Sequence, residues 1–294
     1  MKLKSLVLFS GGLDSRLAAM IMQAQSQVIL FHVKLPFSQK DNTKEIKNFA
    51  RKQNFQLITK DFTKGKNFQD YLNLIRKPKY KRGSSLNPCI DCHAFIIKLA
   101  KKYADKNNIK IIATGEVLGE RPLSQHKKAL LLVEQEAGLT GRLLRPLSAK
   151  LLEETEAEKK GLIDRNKLLD IEGRKRNKQI ALALKYNMSY PQPAGGCLLC
   201  EKDFVKKLKP FLKDNLKFQD IELLKIGRHF HNSEIILGKN QAENESLEKL
   251  PGIKLIPIQP GPTAFIKRKE LEIEARRLIQ KYSKHKIKGF KVIN

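Results

Sequence analysis

Four short apolar runs alternate with amphipathic patterns in the first part of the chain, and this alternation restricts the fold more than any other feature. The runs are SLVLFS (5–10), SQVILFHV (26–33), FQLIT (55–59) and IKIIAT (109–114). Between them lie DSRLAAMIMQAQ (14–25), DNTKEIKNFARKQ (41–53) and AFIIKLAKKYADKN (94–107). Each run is short, nearly continuously apolar and bounded by polar or glycine residues, as for a strand buried on both faces. Strands of that kind separated by helices predict an α/β domain, a parallel sheet with helices on both sides. Its ligand site should lie beyond the carboxyl ends of the strands.

Residues 148–187 read as mostly helical, and a basic amphipathic helix is expected near 202–213. From about residue 215 the pattern shifts to short strands, IELLKIG, SEIILG and GIKLIPI, with turns at Gly238 and Pro251-Gly252 and a closing helix, RKELEIEARRLIQKYSK. The expected organisation is a catalytic domain over 1–190, a cysteine-containing connector over 191–214 and a smaller α+β domain over 215–294. A chain of 294 residues can bury two such cores. It shows no apolar run long enough for a signal peptide core or a membrane span, so a cytoplasmic protein without membrane attachment is expected.

LVLFSGGLDSRLAA places Ser10, Gly11, Gly12, Asp14 and Ser15 between the first strand and the first helix. Backbone N–H groups at a glycine-rich turn entering a helix form an anion cradle, helped by the positive end of the helix dipole. Ser10 and Ser15 can add hydroxyl donors, and Asp14 suits an N-cap or a magnesium ion held against phosphate. Neither Gly-Lys-Ser/Thr nor GxGxxG is present, which excludes the Walker and dinucleotide-binding readings of this turn.

The four cysteines form two CxxC pairs far apart in sequence, Cys89 and Cys92 in NPCIDCH and Cys197 and Cys200 in PAGGCLLC. In a reducing compartment such pairs point to metal binding or catalysis before disulfides, and their spacing alone also fits a structural tetrahedral zinc. His93 reads as a solvent-facing histidine at a helix start. The net charge of +28, spread along the whole chain, points to a polyanionic partner, nucleic acid first. RKPKYKR (76–82) offers Lys77, Lys79, Lys81 and Arg82 as phosphate contacts beside the cysteine loop, and GRKRNK (173–178) offers a second basic face.

SGGLDS after the first strand resembles the PP-loop signature of the ATP pyrophosphatase superfamily. The resemblance implies a PP-loop (adenine nucleotide alpha hydrolase-like, Rossmann-like) fold that binds ATP with Mg²⁺ and transfers AMP to a substrate oxygen. NPCIDCHAFIIKLA is similar to a segment of the tRNA 2-thiouridylases, and ATGEVLGERPLSQ (113–125) and LLRPLSAKLLEET (143–155) are similar to segments of the 4-thiouridine synthetases. The resemblance covers roughly residues 1–205 and implies an ATP-dependent tRNA sulfurtransferase. It matches Cys92 and Cys197 to the catalytic cysteines and suggests Gly115 as a further nucleotide contact.

Two sulfur chemistries remain open under that resemblance. One uses a persulfide on one cysteine and a second cysteine that resolves the disulfide. The other holds a [4Fe-4S] cluster on Cys89, Cys92 and Cys197, with Cys200 as a fourth ligand, a reserve thiol or a bystander. Either needs a sulfur donor, sulfide or a cysteine desulfurase or carrier protein. The rival readings are a PP-loop RNA-modifying ligase with structural zinc and a non-catalytic RNA-binding factor. In the C-terminal part, LKIGRHFHNSEIILGKNQAENESL (224–247) and PGPTAFIKR (260–268) resemble the RNA-binding domain of the NFACT proteins. That resemblance implies tRNA contacts from Arg228, His229, Lys239 and Asn240.

Overall fold

The computed structural model describes residues 3–80, 85–192, 196–213 and 216–293. The chain divides into two compact units, Met1–Cys200 and Glu201–Asn294.

The first unit is the α/β domain that the apolar runs predict. Its elements are β1 (Lys4–Leu8), α1 (Leu13–Gln23), β2 (Gln27–Lys34), α2 (Thr43–Lys52), β3 (Gln56–Asp61), α3 (Gly65–Arg76), α4 (Cys89–Lys106), β4 (Ile111–Ala113), α5 (Lys127–Ala137), β5 (Leu143–Leu144), α6 (Glu156–Lys159) and α7 (Asn177–Lys185). All sheet pairings are parallel, in the order β3-β2-β1-β4-β5. The order reverses between β1 and β4, so the loops after these two strands open onto a crevice at the topological switch point.

Successive strand residues enter opposite cores, which is why the strands read as continuous apolar runs. Val7, Val28, Leu30, Ile111 and Ala113 pack with α1 residues on one face. Leu6, Ile29, Phe31 and Ile112 pack with residues of α4 and α5 on the other. Truncating one of these buried aliphatics, for example Leu17→Ala, removes packing that typically contributes about 2–5 kcal/mol.

Four parts of the first unit differ from the sequence reading. The reading assigns no element to 65–76 or 127–137, yet both are helices. α3 buries Phe68, Tyr71, Leu72 and Ile75 at helical spacing, and α5 ends on Gly138 in the left-handed conformation (φ 65°). Helix α4 begins at Cys89, not near 94, because the Pro88 carbonyl already accepts the Cys92 N–H at 2.8 Å.

Residues 148–187 contain only α6, α7 and short 3₁₀ turns. Ile163, Leu168 and Ile171 there fill the first core from irregular backbone. That backbone is held by long-range bonds, Leu169 N–H to Pro146 O (2.9 Å) and Ile171 N–H to Leu147 O (2.8 Å). Tertiary pairing overrides the local helical tendency.

The second unit contains α8 (Lys202–Leu208), α9 (Phe218–Leu224), β6 (Arg228–Phe230), β7 (Ile235–Leu237), α10 (Gln241–Glu248), β8 (Ile253–Pro257), β9 (Ala264–Ile266), α11 (Glu272–Tyr282) and β10 (Phe290–Ile293). Its five strands form an antiparallel sheet in the order β10-β8-β9-β7-β6. One sheet face packs on α11 through Ala275, Leu278 and Ile279, and the other on Leu247 of α10. IELL, expected as a strand, is the helix α9. Its buried Ile221 and Leu224 are one turn apart, and Asp220 accepts the Lys217 N–H at 2.9 Å at its start.

Candidate active site

The SGGLDS turn joins β1 to α1 at the carboxyl end of the sheet. Gly11 has a left-handed φ of 82°, and a Cβ there would stand 2.7 Å from Ile46, so the position requires glycine. Ser15 Oγ accepts the Gly11 N–H at 3.1 Å and donates to the Gly12 carbonyl at 3.0 Å. Ser10 Oγ lies 3.2 Å from Ser15 Oγ and accepts the Gly12 N–H at 3.4 Å. Arg16 Nε donates to the Gly11 carbonyl at 2.8 Å and Asn42 donates to the Ser10 carbonyl at 2.8 Å, which clamp the turn from outside.

Asp14 is not the helix cap; Gly12 holds that position. The Asp14 carboxyl is pushed up to about 6, by burial first and by the nearby Glu120 carboxylate second, against the opposing pull of Arg176. The buried Gln179 side chain is hydrogen-bonded to it. Arg176, which the sequence offers as part of an outward basic face, instead turns inward to pair with Glu120 and lies 3.8 Å from Asp14 Oδ2.

The Thr114-Gly115-Glu116 turn after β4 touches both neighbouring loops. A Cβ on Gly115 would stand 2.6 Å from Ser15 N and 2.7 Å from Asp14 C, so only glycine lets β4 end this close to the SGGLDS backbone. Glu116 reaches the other way, accepting from Arg145 Nε at 3.0 Å and lying 2.8 Å from His93 Nδ1. Burial raises its pKa, but Arg145 and then His93 outweigh this and hold it ionised. His93 therefore is not the free solvent-facing residue that the sequence suggests. Arg145 also pairs with Glu134 and donates to the Leu130 carbonyl, and Arg145, Glu116 and Glu134 are all buried while His93 is half-buried.

The two CxxC pairs, remote in sequence, come together. Cys197 forms an antiparallel bridge with Ser38 just beyond β2, supported by Leu198 N–H to Phe37 O at 3.0 Å. Asn87 N–H donates to Leu199 O at 3.2 Å, and Asn87 takes a positive φ of 40° to enter α4. Cys89 Sγ and Cys200 Sγ stand 3.8 Å apart, and Cys200 is also hydrogen-bonded to Cys197. Cys92, buried, shares a 3.2 Å hydrogen bond with the hydroxyl of the fully buried Tyr71.

These contacts divide the thiols sharply. Burial pushes Cys92 up to about 11. Cys89 and Cys197 are also pushed up, each first by its hydrogen bond to Cys200 and then by burial. Cys200 is pushed down by hydrogen bonds from Cys197 and Cys89, with Arg121 and His93 adding to the effect. The exposed Cys200, which the sequence makes the least informative of the four, is the one whose surroundings favour the thiolate form. By donor type the four sulfurs fit a sulfur-ligated group. As placed, Cys200 is hydrogen-bonded to Cys89 and Cys197 while Cys92 bonds Tyr71. Among the described residues no set of three or more His, Cys, Asp or Glu side chains is spaced to hold a metal ion.

Of the expected RNA contacts, Lys81 and Arg82 lie outside the described residues. Lys77 is exposed at the end of α3, whereas Lys79 is tied to Glu136 at 2.7 Å and lies over the Tyr80 ring. In the second unit Arg228 is exposed over the Tyr282 ring, and the Lys239 side chain is exposed beside α10. Asn240 caps α10 by accepting the Glu243 N–H at 3.0 Å. His229 Nε2 bonds the Ile226 carbonyl at 2.7 Å, and burial followed by the charge of Lys207 lowers its pKa to about 4. It is therefore a neutral, half-buried group at physiological pH. Among the described residues, no helix is long and apolar enough to cross a membrane.

The family model described as Thiamine biosynthesis protein (ThiI) matches residues 1–156. A solved structure from Methanocaldococcus jannaschii, described as a predicted subunit of tRNA methyltransferase, is similar at 16% identity with a TM-score of 0.38. The match covers 62% of this chain and 76% of that one. No curated protein matches the chain.

Proposed function

Because the chain belongs to the Thiamine biosynthesis protein (ThiI) family, we propose that it is an ATP-dependent tRNA sulfurtransferase that converts a uridine to a thiouridine. The family supports nucleotide binding and sulfur transfer to tRNA in general; the reaction in detail is our reading. The observation that carries it is the Thr114-Gly115-Glu116 turn, which abuts the SGGLDS backbone on one side and holds the histidine next to Cys92 on the other. One short turn thus couples an anion cradle to a cluster of thiols.

In this reading the backbone and hydroxyls of Ser10, Gly11, Gly12 and Ser15 bind the phosphates of ATP, with Mg²⁺ beside Asp14. Attack of the uridine carbonyl oxygen on the α-phosphorus releases pyrophosphate and leaves the oxygen as an adenylate. A sulfur nucleophile then attacks the ring carbon and AMP departs with the former carbonyl oxygen. The chain's part is to hold the triphosphate, to orient the adenylated base and to keep the sulfur-bearing side chains beside it.

Cys89, Cys92 and Cys197 are the residues that would hold a [4Fe-4S] cluster. When bound, it would supply an iron site able to carry hydrosulfide. A persulfide mechanism is the second reading: one cysteine takes the outer sulfur of a donor persulfide, transfers it to the base and is left in a disulfide that a second cysteine and an external thiol resolve. Cys92 and Cys197 are the pair proposed for it, and the 3.8 Å separation of Cys89 and Cys200 places further thiols within reach for that resolution. Lys77, Lys79, Lys81 and Arg82, with Arg228, His229 and Lys239 of the second unit, are proposed as tRNA contacts. The excess of positive charge supports a polyanionic partner. The proposed location is the cytoplasm.

The deciding experiment combines nucleoside mass spectrometry of tRNA from a deletion strain with iron, zinc and visible-absorption analysis of anaerobically purified protein. Loss of a thiouridine in the strain is expected, as is iron bound by wild type but not by Cys89→Ala or Cys197→Ala. An unchanged thiouridine profile would overturn the activity. One tightly held zinc and no iron would overturn the cluster.

A further inference from the structure

The β6 edge of the second unit carries two features that the core of that unit does not need. β6 is the last strand of its sheet, paired among the described residues with β7 alone. Alternation along it sends Arg228 and Phe230 to the face covered by α11 and His229 to the face covered by α10. The two faces present different chemistry.

On the α11 side a flat aromatic surface is open to solvent. Tyr282, the last residue of α11, is 40% exposed. The Phe230 ring lies 5.6 Å from it, the Arg228 guanidinium stands 5.1 Å over its centroid, and Lys281 Nζ stands 6.0 Å from the same ring. Arg228 is exposed and pairs with no acid among the described residues, so its planar head is steadied by the tyrosine ring and keeps its outer face free.

On the α10 side three lysines converge on His229. Lys207 comes from α8, where its Nζ donates to the Leu224 carbonyl at 2.5 Å, and Lys239 follows β7. Lys267 follows β9 in the alternation that puts it on the face of His229, and its Nζ lies 5.0 Å over the Phe211 ring. The charges of all three act on the His229 ring, and that of Lys239 acts on Lys207. The Glu243 carboxylate beside them accepts the backbone N–H groups of Gly227 at 3.1 Å and Lys239 at 2.8 Å, while Asp203 and Glu201 act on Lys207 more weakly. None of the three ammonium groups has an ion-pair partner among the described residues, so together they hold a positive field that an anion relieves.

The two faces describe one ligand. Phosphodiester oxygens suit the lysines, and a free π face suits the Arg228–Tyr282 plane; a strand with unstacked bases supplies both. A duplex would satisfy the lysines but keep its bases inside. We propose that the β6 edge binds a single-stranded RNA segment, stacking a base on Arg228 and Tyr282 and carrying the flanking phosphates past Lys207, Lys239 and Lys267. For the identity of the strand this rests on the reading of the chain as acting on tRNA, and it deepens that reading: the second unit selects unpaired nucleotides, not helical stems.

The test is fluorescence anisotropy of the full chain without ATP, using a labelled oligouridine of about eight residues, the same oligomer with abasic riboses, and an RNA hairpin of equal charge. Tyr282→Ala is expected to weaken oligouridine binding by about tenfold, to leave the hairpin within about twofold, and to abolish the preference for uridine over abasic riboses. Lys239→Ala and Lys267→Ala should each flatten the dependence of log affinity on log salt by about 0.7. Unchanged oligouridine binding in Tyr282→Ala would overturn the proposal, as would equal losses on hairpin and single strand or an unchanged salt slope in both lysine variants. Thermal melting confirms that each variant is folded; if Tyr282→Ala is not, Arg228→Gln, at an exposed position, carries the same test with an expected loss of about threefold. Failure here leaves the sulfurtransferase reading standing, whereas an unchanged thiouridine profile with these variant effects intact would leave an RNA site without that reaction.

Discussion

Arg145 and Arg176 of the first unit each bridge two acidic side chains, and they differ in how far water reaches them. Arg145 is buried, and its guanidinium nitrogens go to Glu116, Glu134 and the Leu130 carbonyl. Arg176 is partly exposed, holds Glu120 firmly and stands 3.8 Å from Asp14 Oδ2. The buried Gln179 is hydrogen-bonded to the Asp14 carboxyl. The first arrangement is scaffold, since its charges are closed on one another and fix the turn that carries Gly115. The second stands beside the SGGLDS turn with its cation open to solvent. A buried, closed charge network positions a site, whereas a partly exposed one keeps its charges within reach of a ligand.

The comparison can be broken most directly by removing each arginine. Arg145→Leu leaves the buried Glu134 without its cation and Glu116 with His93 alone, and should cost about 3–5 kcal/mol in urea unfolding, while Arg176→Gln should cost under about 1 kcal/mol. Equal losses would erase the distinction between scaffold and site. Gly115→Ala comes next. Its Cβ would meet loop backbone, so a cost of about 1–3 kcal/mol is expected, together with weaker ATP binding by calorimetry.

Tyr71→Phe removes one hydrogen bond from Cys92 and should cost about 1 kcal/mol, with little change in global fold by circular dichroism. The second unit supplies a pH-dependent contrast. His229 has its pKa lowered in the fold, so its contribution to stability is full above about pH 6.5 and is lost as pH falls toward 4. His229→Gln should flatten that part of the melting-temperature profile. The smallest effect belongs to Lys79→Ala, whose solvent-exposed pair with Glu136 should leave the melting temperature nearly unchanged, the more so at high salt.

Much of the first unit was legible in the sequence. Runs such as SQVILFHV must be buried on both faces, and in the fold their alternate residues enter opposite cores. SGGLDS was equally legible, because a strand-to-helix turn that needs a left-handed glycine is a local requirement. The irregular segment 148–187 and the helix over IELL were misread for the converse reason. In 148–187 the apolar residues are placed by partners distant in sequence, which leave no local period, whereas α9 is so short that its one helical spacing, Ile221 to Leu224, does not separate helix from strand.

The sequence by itself determined the parallel α/β class, the glycine cradle after β1 and the presence of two thiol pairs, since backbone sterics and hydrophobic periodicity act over a few residues. Only the tertiary structure decided that Cys200 meets Cys89, that Arg176 faces inward and that His93 is held by Glu116. The first two depend on the Ser38–Cys197 and Leu118–Glu172 bridges, and the third on β4 ending beside α4, all pairings between segments far apart in the chain. A charge or a thiol acquires its chemistry from the neighbours that such closures bring within a few ångströms.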